Sequence, residues 1–317
     1  MRSRILDRTG VAVTELGFGG ASLGNLYKAT EDAVGQAAVA AAYAAGIRYF
    51  DTAPHYGLGL SERRLGRALA GLPRADYVVS TKVGRALDRN PHPTGSDLAT
   101  GGFDVPDDLV RRWDFSAGGV RRSLAASRER LGLEHIDIVY VHDPDHHVDQ
   151  AIAEAIPALV ELRDQGVIGA VGVGMNQWQA PLRMVQETDL DVVMLAGRWT
   201  LLDRTGQRLL DACAARGVSV VAAAPFNSGL LARPRPTADA MYDYQRTPDD
   251  LLRRVNVLAD TCERWGATLP DAAVQFPLRH RAVAAVVAGL RSPTQVSQLV
   301  ARHHAALPEA AWAELDS

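Results

Sequence analysis

The sequence predicts an α/β fold, a single closed barrel in which eight parallel strands are each followed by a helix. From residue 16 to residue 302, short apolar runs alternate with longer helical patterns. Eight parallel βα units over roughly 250 residues are typical of the (β/α)8 or TIM barrel. A doubly wound sheet is the alternative, but it requires a glycine-rich fingerprint, and Leu16-Gly-Phe-Gly-Gly20 lacks the third glycine. Composition marks no second domain, so one domain is expected over residues 1–317.

The elements can be assigned in chain order from their patterns. Two apolar runs around a Thr-Gly turn, between Arg4 and Val13, predict a β-hairpin ahead of the barrel. The predicted barrel strands cover residues 16–20, 47–51, 77–81, 136–141, 168–173, 192–195, 218–223 and 283–287. The predicted helices cover residues 31–45, 61–70, 116–131, 149–165, 177–187, 204–216, 249–265, 270–279, 293–302 and 308–315, the last of them closing the chain.

Residues at the helix ends support these assignments. Ser61 and Ser116 stand where an N-cap is expected, and Gly46 follows the first helix as a C-cap. Two connections are much longer than the others, residues 84–113 and residues 231–247. The first is polar and rich in glycine and proline, and a connection of that length predicts a lid or a substrate loop.

The composition is that of an ordinary globular protein and excludes several classes of partner. The formal net charge of −3 gives no basis for binding to nucleic acid or to an anionic membrane. No apolar run reaches the ~18 residues of a membrane span, and the stretch Met1–Asp7 has no signal-peptide core. Cys213 and Cys262 lie in predicted helices and do not indicate a disulfide framework. We therefore expect a cytoplasmic protein.

Four polar residues fall at or just after the carboxyl ends of consecutive strands, which is where barrels hold their active sites. Asp51 ends the second strand, Tyr56 follows it in the loop, Lys82 ends the third strand, and His142 ends the fourth. Lys82 stands out because the chain has only two lysines among its 34 basic residues. Since neighbouring strands lie about 4.8 Å apart, these side chains can converge at one rim of the barrel.

This set of side chains predicts acid–base chemistry. An Asp51–Lys82 pair keeps the lysine charged, and the cation then lowers the pKa of the Tyr56 phenol from about 10 toward the working range. His142 can hydrogen-bond a substrate oxygen and orient it. Such a group gives or takes a proton at a carbonyl or hydroxyl carbon. The run His142-Asp-Pro-Asp-His-His147 resembles a set of metal ligands, but no second cluster of ligands lies at another strand end, so no metal is expected.

These motifs resemble those of the aldo-keto reductases, and the resemblance covers essentially the whole chain. It rests on Phe-Asp-Thr-Ala-Pro-His-Tyr-Gly at residues 50–57, Ser-Thr-Lys at residues 80–82 and Val-His at residues 141–142. It implies an NAD(P)-dependent oxidoreductase in which Tyr56 donates and accepts the proton. Lys82 and Asp51 are then its tuning pair and His142 orients the substrate. The cofactor, NADP or NAD, carries the hydride.

The resemblance also implies a set of cofactor contacts. Asn176 then binds the carboxamide, Trp199 stacks on the nicotinamide, and Arg291 pairs with a 2′-phosphate. The complete implied set is Gly20, Asn176, Trp199, Phe226, Asn227, Ser228, Gly229, Leu230, Gly289, Arg291, Ser292 and Gln295. Three positions depart from the family's pattern, with Met175 in place of a serine, Ala196 in place of a glutamine and Leu299 in place of an asparagine.

Several further stretches resemble one branch of that family, the D-threo-aldose 1-dehydrogenase and L-fucose dehydrogenase group. They include Trp113-Asp-Phe-Ser116, the run Leu195–Leu202 and Tyr242-Asp-Tyr244. That branch oxidises the anomeric hydroxyl of a free sugar to a lactone, and Trp113 and Tyr242 then line the sugar pocket. The alternative is an NADPH-dependent aldehyde or ketone reductase acting on pyridoxal-like or biosynthetic carbonyl substrates. A regulatory subunit that senses the cofactor is a third reading, and the complete set of four polar residues argues against it.

Overall fold

The computed structural model describes residues 1–237, 239–242 and 245–316. In chain order its strands are β1 (Ser3–Ile5), β2 (Ala12–Thr14), β3 (Leu16–Gly19), β4 (Tyr49–Asp51), β5 (Val78–Val83), β6 (Arg85–Arg89), β7 (Leu109–Trp113), β8 (Ile136–His142), β9 (Ile168–Met175), β10 (Val192–Ala196), β11 (Ser219–Ala223), β12 (Met241–Tyr242), β13 (Gln245–Arg246) and β14 (Val283–Gly289). Its α-helices are α1 (Asp32–Ala44), α2 (Leu60–Leu69), α3 (Leu98–Gly101), α4 (Ala117–Leu131), α5 (Val148–Gln150), α6 (Ile156–Asp164), α7 (Gln179–Glu187), α8 (Gln207–Arg216), α9 (Asp249–Arg264), α10 (Leu269–Gln275), α11 (Pro293–His304) and α12 (Glu309–Leu315).

Eight of these strands close a barrel, which confirms the predicted fold. Around the barrel the order is β3, β4, β5, β8, β9, β10, β11 and β14, and β14 pairs with β3 to complete the circle. The barrel strands are buried along most of their length because helices cover the outside and side chains fill the inside. All eight carboxyl ends therefore meet at one rim.

The predicted N-terminal hairpin is confirmed as the antiparallel pair β1 and β2. Leu6 and Val13, from the turn and the second strand, pack with apolar residues of the barrel interior. Arg4 donates to the Glu15 carboxylate at 2.8 Å and to the carbonyl of Val283 at 3.0 Å. Because Val283 begins β14, these bonds fasten the hairpin across the amino-terminal end of the barrel and leave the other rim for chemistry.

The two predicted N-caps have different outcomes. Ser116 caps α4, as predicted, because its hydroxyl accepts a hydrogen bond from the backbone N–H of Gly119 at 3.0 Å. The prediction for Ser61 is wrong, since α2 begins one residue earlier and has Gly59 as its N-cap. Gly59 has a φ of 81°, a left-handed conformation that glycine adopts without strain. The Ser61 hydroxyl lies inside the helix and donates instead to the carbonyl of Gly20 at 2.7 Å.

The predicted substrate loop over residues 84–113 contains regular structure that the sequence did not indicate. Strands β6 and β7 pair as an antiparallel hairpin outside the barrel, with the short helix α3 between them. Both strands are rich in arginine and have no clean alternation of apolar and polar residues. The pattern that normally reveals a half-buried strand is therefore missing.

Helices cover the outside of the barrel in the predicted order. The helix predicted over residues 149–165 is divided into α5, a π-helical turn at Ala151–Ala155, and α6. Pro157 explains the interruption, because it has no backbone N–H to continue the hydrogen-bond ladder. None of the helices in the described part of the chain combines the length and the apolar character that a membrane span requires.

Candidate active site at the carboxyl end of the barrel

The four predicted polar residues meet in one cavity of about 500 Å³ at the carboxyl end of the barrel. Asp51 ends β4, Lys82 lies near the end of β5, and His142 ends β8. Because these three strands are neighbours in the barrel, their terminal side chains share one rim. Tyr56 reaches the same cavity from the loop after β4. A second groove, of about 580 Å³, lies on the outer helices α6 and α7 and contains none of the predicted residues.

Lys82 and Asp51 form a buried ion pair on one side of the cavity. The Lys82 ammonium lies 2.8 and 2.7 Å from the two carboxylate oxygens of Asp51 and 2.9 Å from the carbonyl of Thr52. These oxygens accept hydrogen bonds from the ammonium group and hold it in the cavity wall. Burial lowers the pKa of Lys82, but Asp51 and Tyr56 together raise it by more, so it lies above its usual value. Lys82 is a permanent cation in the cavity wall.

A chain of buried hydroxyl groups supports Asp51 from inside the barrel. Ser80 lies 2.7 Å from the Asp51 carboxylate and 3.1 Å from the hydroxyl of Tyr49, which in turn lies 3.0 Å from the hydroxyl of Tyr140. A serine hydroxyl has one proton, and a carboxylate only accepts, so Ser80 donates to Asp51 and accepts from Tyr49. The chain therefore runs toward the anion and holds it in place below Lys82.

Replacing Ser80 by alanine is expected to lower the free energy of unfolding by about 1–3 kcal/mol, because a buried carboxylate and a buried tyrosine each lose a hydrogen-bond partner. Denaturant unfolding measures this change. Ser123→Ala is the matched control, since the buried Ser123 hydroxyl has no hydrogen-bond partner among the described residues. The control is expected to change stability by less than about 0.5 kcal/mol. Equal losses in the two variants would show that the chain does not support Asp51.

Tyr56 lies beside the cation. The Lys82 ammonium is 4.8 Å from the centre of the Tyr56 ring. Burial raises the pKa of the Tyr56 phenol, Lys82 lowers it through its charge and a hydrogen bond, and Asp51 raises it again. The net direction is upward, so the prediction that Lys82 brings the phenol into the working range is wrong. Lys82 acts as predicted, but burial has the larger effect.

A tight turn after β4 fixes the direction of the Tyr56 side chain. Gly57 has a φ of 61°, and a Cβ there would lie only 2.2 Å from the carbonyl oxygen of Gly24. Only glycine fits this close approach without moving the backbone. The loop that carries Tyr56 is therefore packed directly against the turn that follows β3.

His142 completes the predicted set as a neutral imidazole. Its ring is 6.0 Å from that of Tyr56, in an edge-to-face arrangement. Burial lowers the pKa of His142 well below its usual value, and the nearby cations Arg85 and Lys82 lower it further. Its Nε2 lies 3.5 Å from the carboxylate of Asp143, and its Nδ1 is buried without a hydrogen-bond partner in the described part of the chain. A neutral imidazole can orient a substrate oxygen without competing for the proton that Tyr56 handles.

Three residues of this cavity region were missed by the reasoning from sequence. His55 lines the cavity next to Tyr56, and Asp143 lines it next to His142. Arg85 forms an ion pair with Asp143, and burial raises the pKa of Asp143 to about 6. His55 precedes Tyr56 in the sequence and Asp143 follows His142, so their position next to predicted site residues could have indicated them. Nothing in the sequence indicated that Arg85, in a predicted loop, would lie against Asp143.

Part of the predicted cofactor set also lines the cavity. Gly20, Asn176 and Gly289 are all in its wall. A Cβ on Gly289 would meet nothing within 4 Å, so this wall is open to the close approach of a ligand. Arg291 lies near that end, where its guanidinium donates to the carbonyl of Leu26, a lining residue, at 2.7 Å. Ser292 caps α11, and the side chain of Gln295 accepts from the Arg291 N–H at 2.7 Å, which holds this arginine's backbone in place.

The structure does not bring Trp199 to the cavity. Its indole is 7% exposed, its ring centre lies 5.3 Å from that of Phe276, and its N–H donates to the carbonyl of Pro277 at 3.3 Å. Its ring and its N–H both make contacts in the core, and its stacking on the nicotinamide stays a prediction. Of the three departures from the family pattern, Met175 and Ala196 line the cavity, whereas Leu299 is buried in the core.

The loop predicted to cover the pyrophosphate, residues 226–230, lies next to the cavity. Three of its backbone N–H groups form local hydrogen bonds. Asn227, Ser228 and Gly229 have φ values of 44°, 57° and 95°. The backbone N–H groups of Asn227, Gly229 and Leu230 all donate within the turn. Leu230 is buried in the core, and Phe226 packs beneath the guanidinium of Arg302. The prediction of free N–H groups is therefore wrong for those three residues.

The two predicted sugar-binding aromatics lie outside the cavity. Trp113 ends β7, is exposed, and has the Arg85 guanidinium 4.5 Å from its ring centre. Tyr242 donates from its hydroxyl to the carboxylate of Asp203 at 3.2 Å, and Asp243 and Tyr244 lie outside the described residues. The segment over residues 84–113 does reach the cavity, but through other residues, Gly101, Gly102 and Phe103. The exposed face of the β6–β7 hairpin, which carries Trp113, is therefore not the part of this segment that lines the cavity.

Comparisons with known proteins agree with this geometry. The chain matches the model of the aldo/keto reductase family over residues 15–317. It is 48% identical to a D-threo-aldose 1-dehydrogenase from a Pseudomonas species, over 96% of this chain and 94% of that protein. It is 39% identical to a pyridoxal 4-dehydrogenase from Microbacterium luteolum, over 99% of this chain and 96% of that protein. It superposes with a TM-score of 0.81 and 28% identity on the holo form of an aldo-keto reductase from Bacillus halodurans, over 100% of this chain and 95% of that one.

Proposed function

Since the chain belongs to the aldo/keto reductase family of oxidoreductases, we propose that it oxidises the anomeric hydroxyl of a free aldose, of the L-fucose or D-threo-aldose type, to a lactone. The main support for this chemistry is the buried ion pair of Lys82 and Asp51. Its ammonium nitrogen and carboxylate oxygen are 2.7 Å apart, and the ammonium lies beside Tyr56. The substrate class is supported by the 48% identity to a D-threo-aldose 1-dehydrogenase.

In this proposal the deprotonated phenolate form of Tyr56 takes the proton of the anomeric hydroxyl, and the resulting phenol returns that proton in the reverse reaction. Lys82 stabilises the phenolate that forms, because its charge lowers the pKa of the phenol. His142 donates a hydrogen bond from its neutral ring to the same substrate oxygen and orients it. NADP or NAD accepts or gives the hydride, which is the half of the reaction that these side chains do not perform.

The cavity wall fits a cofactor of this kind. Gly20 and Gly289 present backbone rather than side chain, and the space over Gly289 is open. Asn176 is exposed in the same wall and has an amide that can bind a carboxamide. Arg291, which contacts carbonyl oxygens through its guanidinium, provides a cation for the phosphate-bearing end. These four residues are the proposed cofactor contacts.

Carbonyl reduction is the second candidate, and one observation favours it. Burial raises the pKa of the Tyr56 phenol, and this direction favours the protonated form, which is the one that can donate a proton. Proton donation is the role that the reduction of an aldehyde or ketone requires. A relative named for carbonyl reduction also supports this candidate, since the chain is 30% identical to an NADH-specific methylglyoxal reductase from Escherichia coli, over 82% of this chain and 79% of that protein.

A substrate screen tests the two candidates against each other. L-Fucose and D-arabinose are offered with NADP or NAD, and a panel of aldehydes is offered with the reduced cofactors. Absorbance of the reduced nicotinamide reports turnover in both directions. Higher kcat/KM for the sugars supports aldose oxidation, whereas turnover of aldehydes alone would make carbonyl reduction the function.

The raised pKa of the Tyr56 phenol can be tested without substrate by following its ionisation. A raised pKa means that the phenol keeps its proton at a pH where an ordinary tyrosine begins to lose it. The ultraviolet difference between the wild type and Tyr56→Phe is therefore expected to show no phenolate signal below about pH 10. A phenolate band that develops below about pH 9 in the wild type alone would contradict this direction.

A further inference from the structure

His55 is a second histidine in the wall of the cavity, and the chemistry described above does not use it. Its ring centre lies 5.6 Å from that of His142 and 6.0 Å from that of Tyr56. Phe103 packs edge-to-face against it at 5.2 Å, so the ring cannot turn freely. His55 therefore faces the same small space as the two groups assigned to the reacting oxygen.

A residue of the insertion over residues 84–113 holds the His55 ring in position. Arg111, in β7, donates from Nε to Nδ1 of His55 and from Nη2 to the carbonyl of His55 at 3.0 Å. Arg111 is held in turn by Asp97 through two parallel hydrogen bonds of 2.6 and 2.7 Å. Such a two-point pairing fixes the plane of the guanidinium, and through it the plane of the imidazole.

This contact decides which nitrogen of His55 carries the proton. Burial lowers the pKa of His55 to about 2, and the cations Arg85, Arg111 and Lys82 act in the same direction. A neutral imidazole has one N–H, and Nδ1 is the acceptor for Arg111, so the proton is on Nε2. No group in the described part of the chain hydrogen-bonds Nε2 of His55. A donor with a fixed direction is thus left for a ligand.

We infer that His55 Nε2–H binds a second oxygen of the substrate, on the carbon next to the reacting one, and that Arg111 and Asp97 position it. This inference rests on the proposed function, in which His142 and Tyr56 bind the oxygen at the reacting carbon. Rings 5.6 Å apart can both be reached by one small molecule with oxygens on neighbouring carbons. The favoured substrates are therefore α-hydroxy aldehydes and aldoses with a hydroxyl at C2.

Matched substrate pairs test this inference in both directions of the reaction. L-Fucose is compared with 2-deoxy-L-fucose as a substrate for oxidation, and 2-hydroxypropanal is compared with propanal as a substrate for reduction. The wild type is expected to prefer the hydroxylated member by about tenfold or more in kcat/KM. In His55→Leu the hydroxylated member is expected to lose about 10- to 100-fold while the other member changes by less than about threefold.

Three further variants separate this role from a structural one. His55→Gln keeps an N–H donor and is expected to recover part of the preference. Arg111→Met removes the hydrogen bonds that fix the tautomer and the ring plane of His55, so the preference is expected to fall. Arg112→Met is the matched control, because Arg112 is the next residue on β7 and its half-exposed side chain pairs with Asp88 outside the cavity. It is expected to leave the preference unchanged.

The outcomes distinguish this inference from the proposed function. Equal losses for both members of each pair in His55→Leu, or no preference in the wild type, would overturn the role of His55. If no aldose is oxidised but 2-hydroxypropanal is still preferred to propanal, the proposed function fails and the role of His55 stands. If His55→Leu does not fold, His55→Gln and Arg111→Met decide the question, and an unchanged preference in both would overturn it.

Discussion

Tyr56→Phe is expected to lower kcat/KM by about 100- to 10,000-fold, the range that a general acid or base supplies. The substitution removes one hydroxyl and leaves the ring that packs beside Lys82, His55 and His142. Steady-state turnover with L-fucose, or with an aldehyde if reduction is faster, measures the loss. The buried ion pair of Lys82 and Asp51 does not depend on the hydroxyl, so the fold is expected to be unchanged.

Cofactor binding provides the control for this prediction. The proposed cofactor contacts, Gly20, Asn176, Gly289 and Arg291, do not include the Tyr56 hydroxyl. Titration of the variant with NADPH and NADH, followed by fluorescence, is therefore expected to give wild-type affinity. Normal cofactor binding together with wild-type turnover would show that Tyr56 is not the acid–base residue.

Lys82→Met is expected to lower the free energy of unfolding by about 3–5 kcal/mol, the usual cost of leaving a buried charge without its partner. Asp51 is 3% exposed and would keep only the hydrogen bond from Ser80 that the structure shows for its side chain. Activity is expected to fall by at least 100-fold as well, because the phenol loses the cation that most lowers its pKa. Denaturant unfolding and steady-state kinetics measure the two effects separately.

A double variant separates stability from catalysis. Adding Asp51→Asn to Lys82→Met removes the buried charge that the single variant leaves unpaired. Much of the lost stability is therefore expected to return, whereas activity is expected to stay low. Recovery of activity together with stability would mean that the ion pair serves only the fold.

The barrel could be predicted from sequence because its signals are local and repeated. Each strand is a short apolar run, each helix has its own pattern, and the polar residues at the strand ends stand beside them in the chain. Asp51, Lys82 and His142 follow this rule, since the alternation that predicts the strands also places their ends at one rim. The cavity therefore contains the four residues that the pattern indicated.

The contacts that could not be predicted join distant segments. Arg111 reaches His55 across more than fifty residues, and β6 and β7 have no apolar alternation that would have indicated a hairpin. The core contacts of Trp199 could not be predicted for a related reason. A family motif places an aromatic at that position, but the direction of its ring depends on Phe276 and Pro277, which belong to a later part of the chain.

The pKa of Tyr56 shows a second limit of prediction from sequence. The sequence predicts the neighbour that lowers it, Lys82, but it contains no measure of how deeply the phenol is enclosed. Burial proves to be the larger effect, and it reverses the predicted direction. The sign of a pKa shift therefore required the cavity itself, although each residue responsible for it was known beforehand.

The central claim is that this chain removes a hydride from the anomeric carbon of an aldose while Tyr56 takes the hydroxyl proton. The most direct measurement uses L-fucose with deuterium at C1, followed by mass spectrometry of the nicotinamide and of the sugar product. We predict deuterium in the reduced nicotinamide, a lactone as product, and neither of them with Tyr56→Phe. Reduced nicotinamide without deuterium, or no lactone from any aldose offered, would contradict the claim.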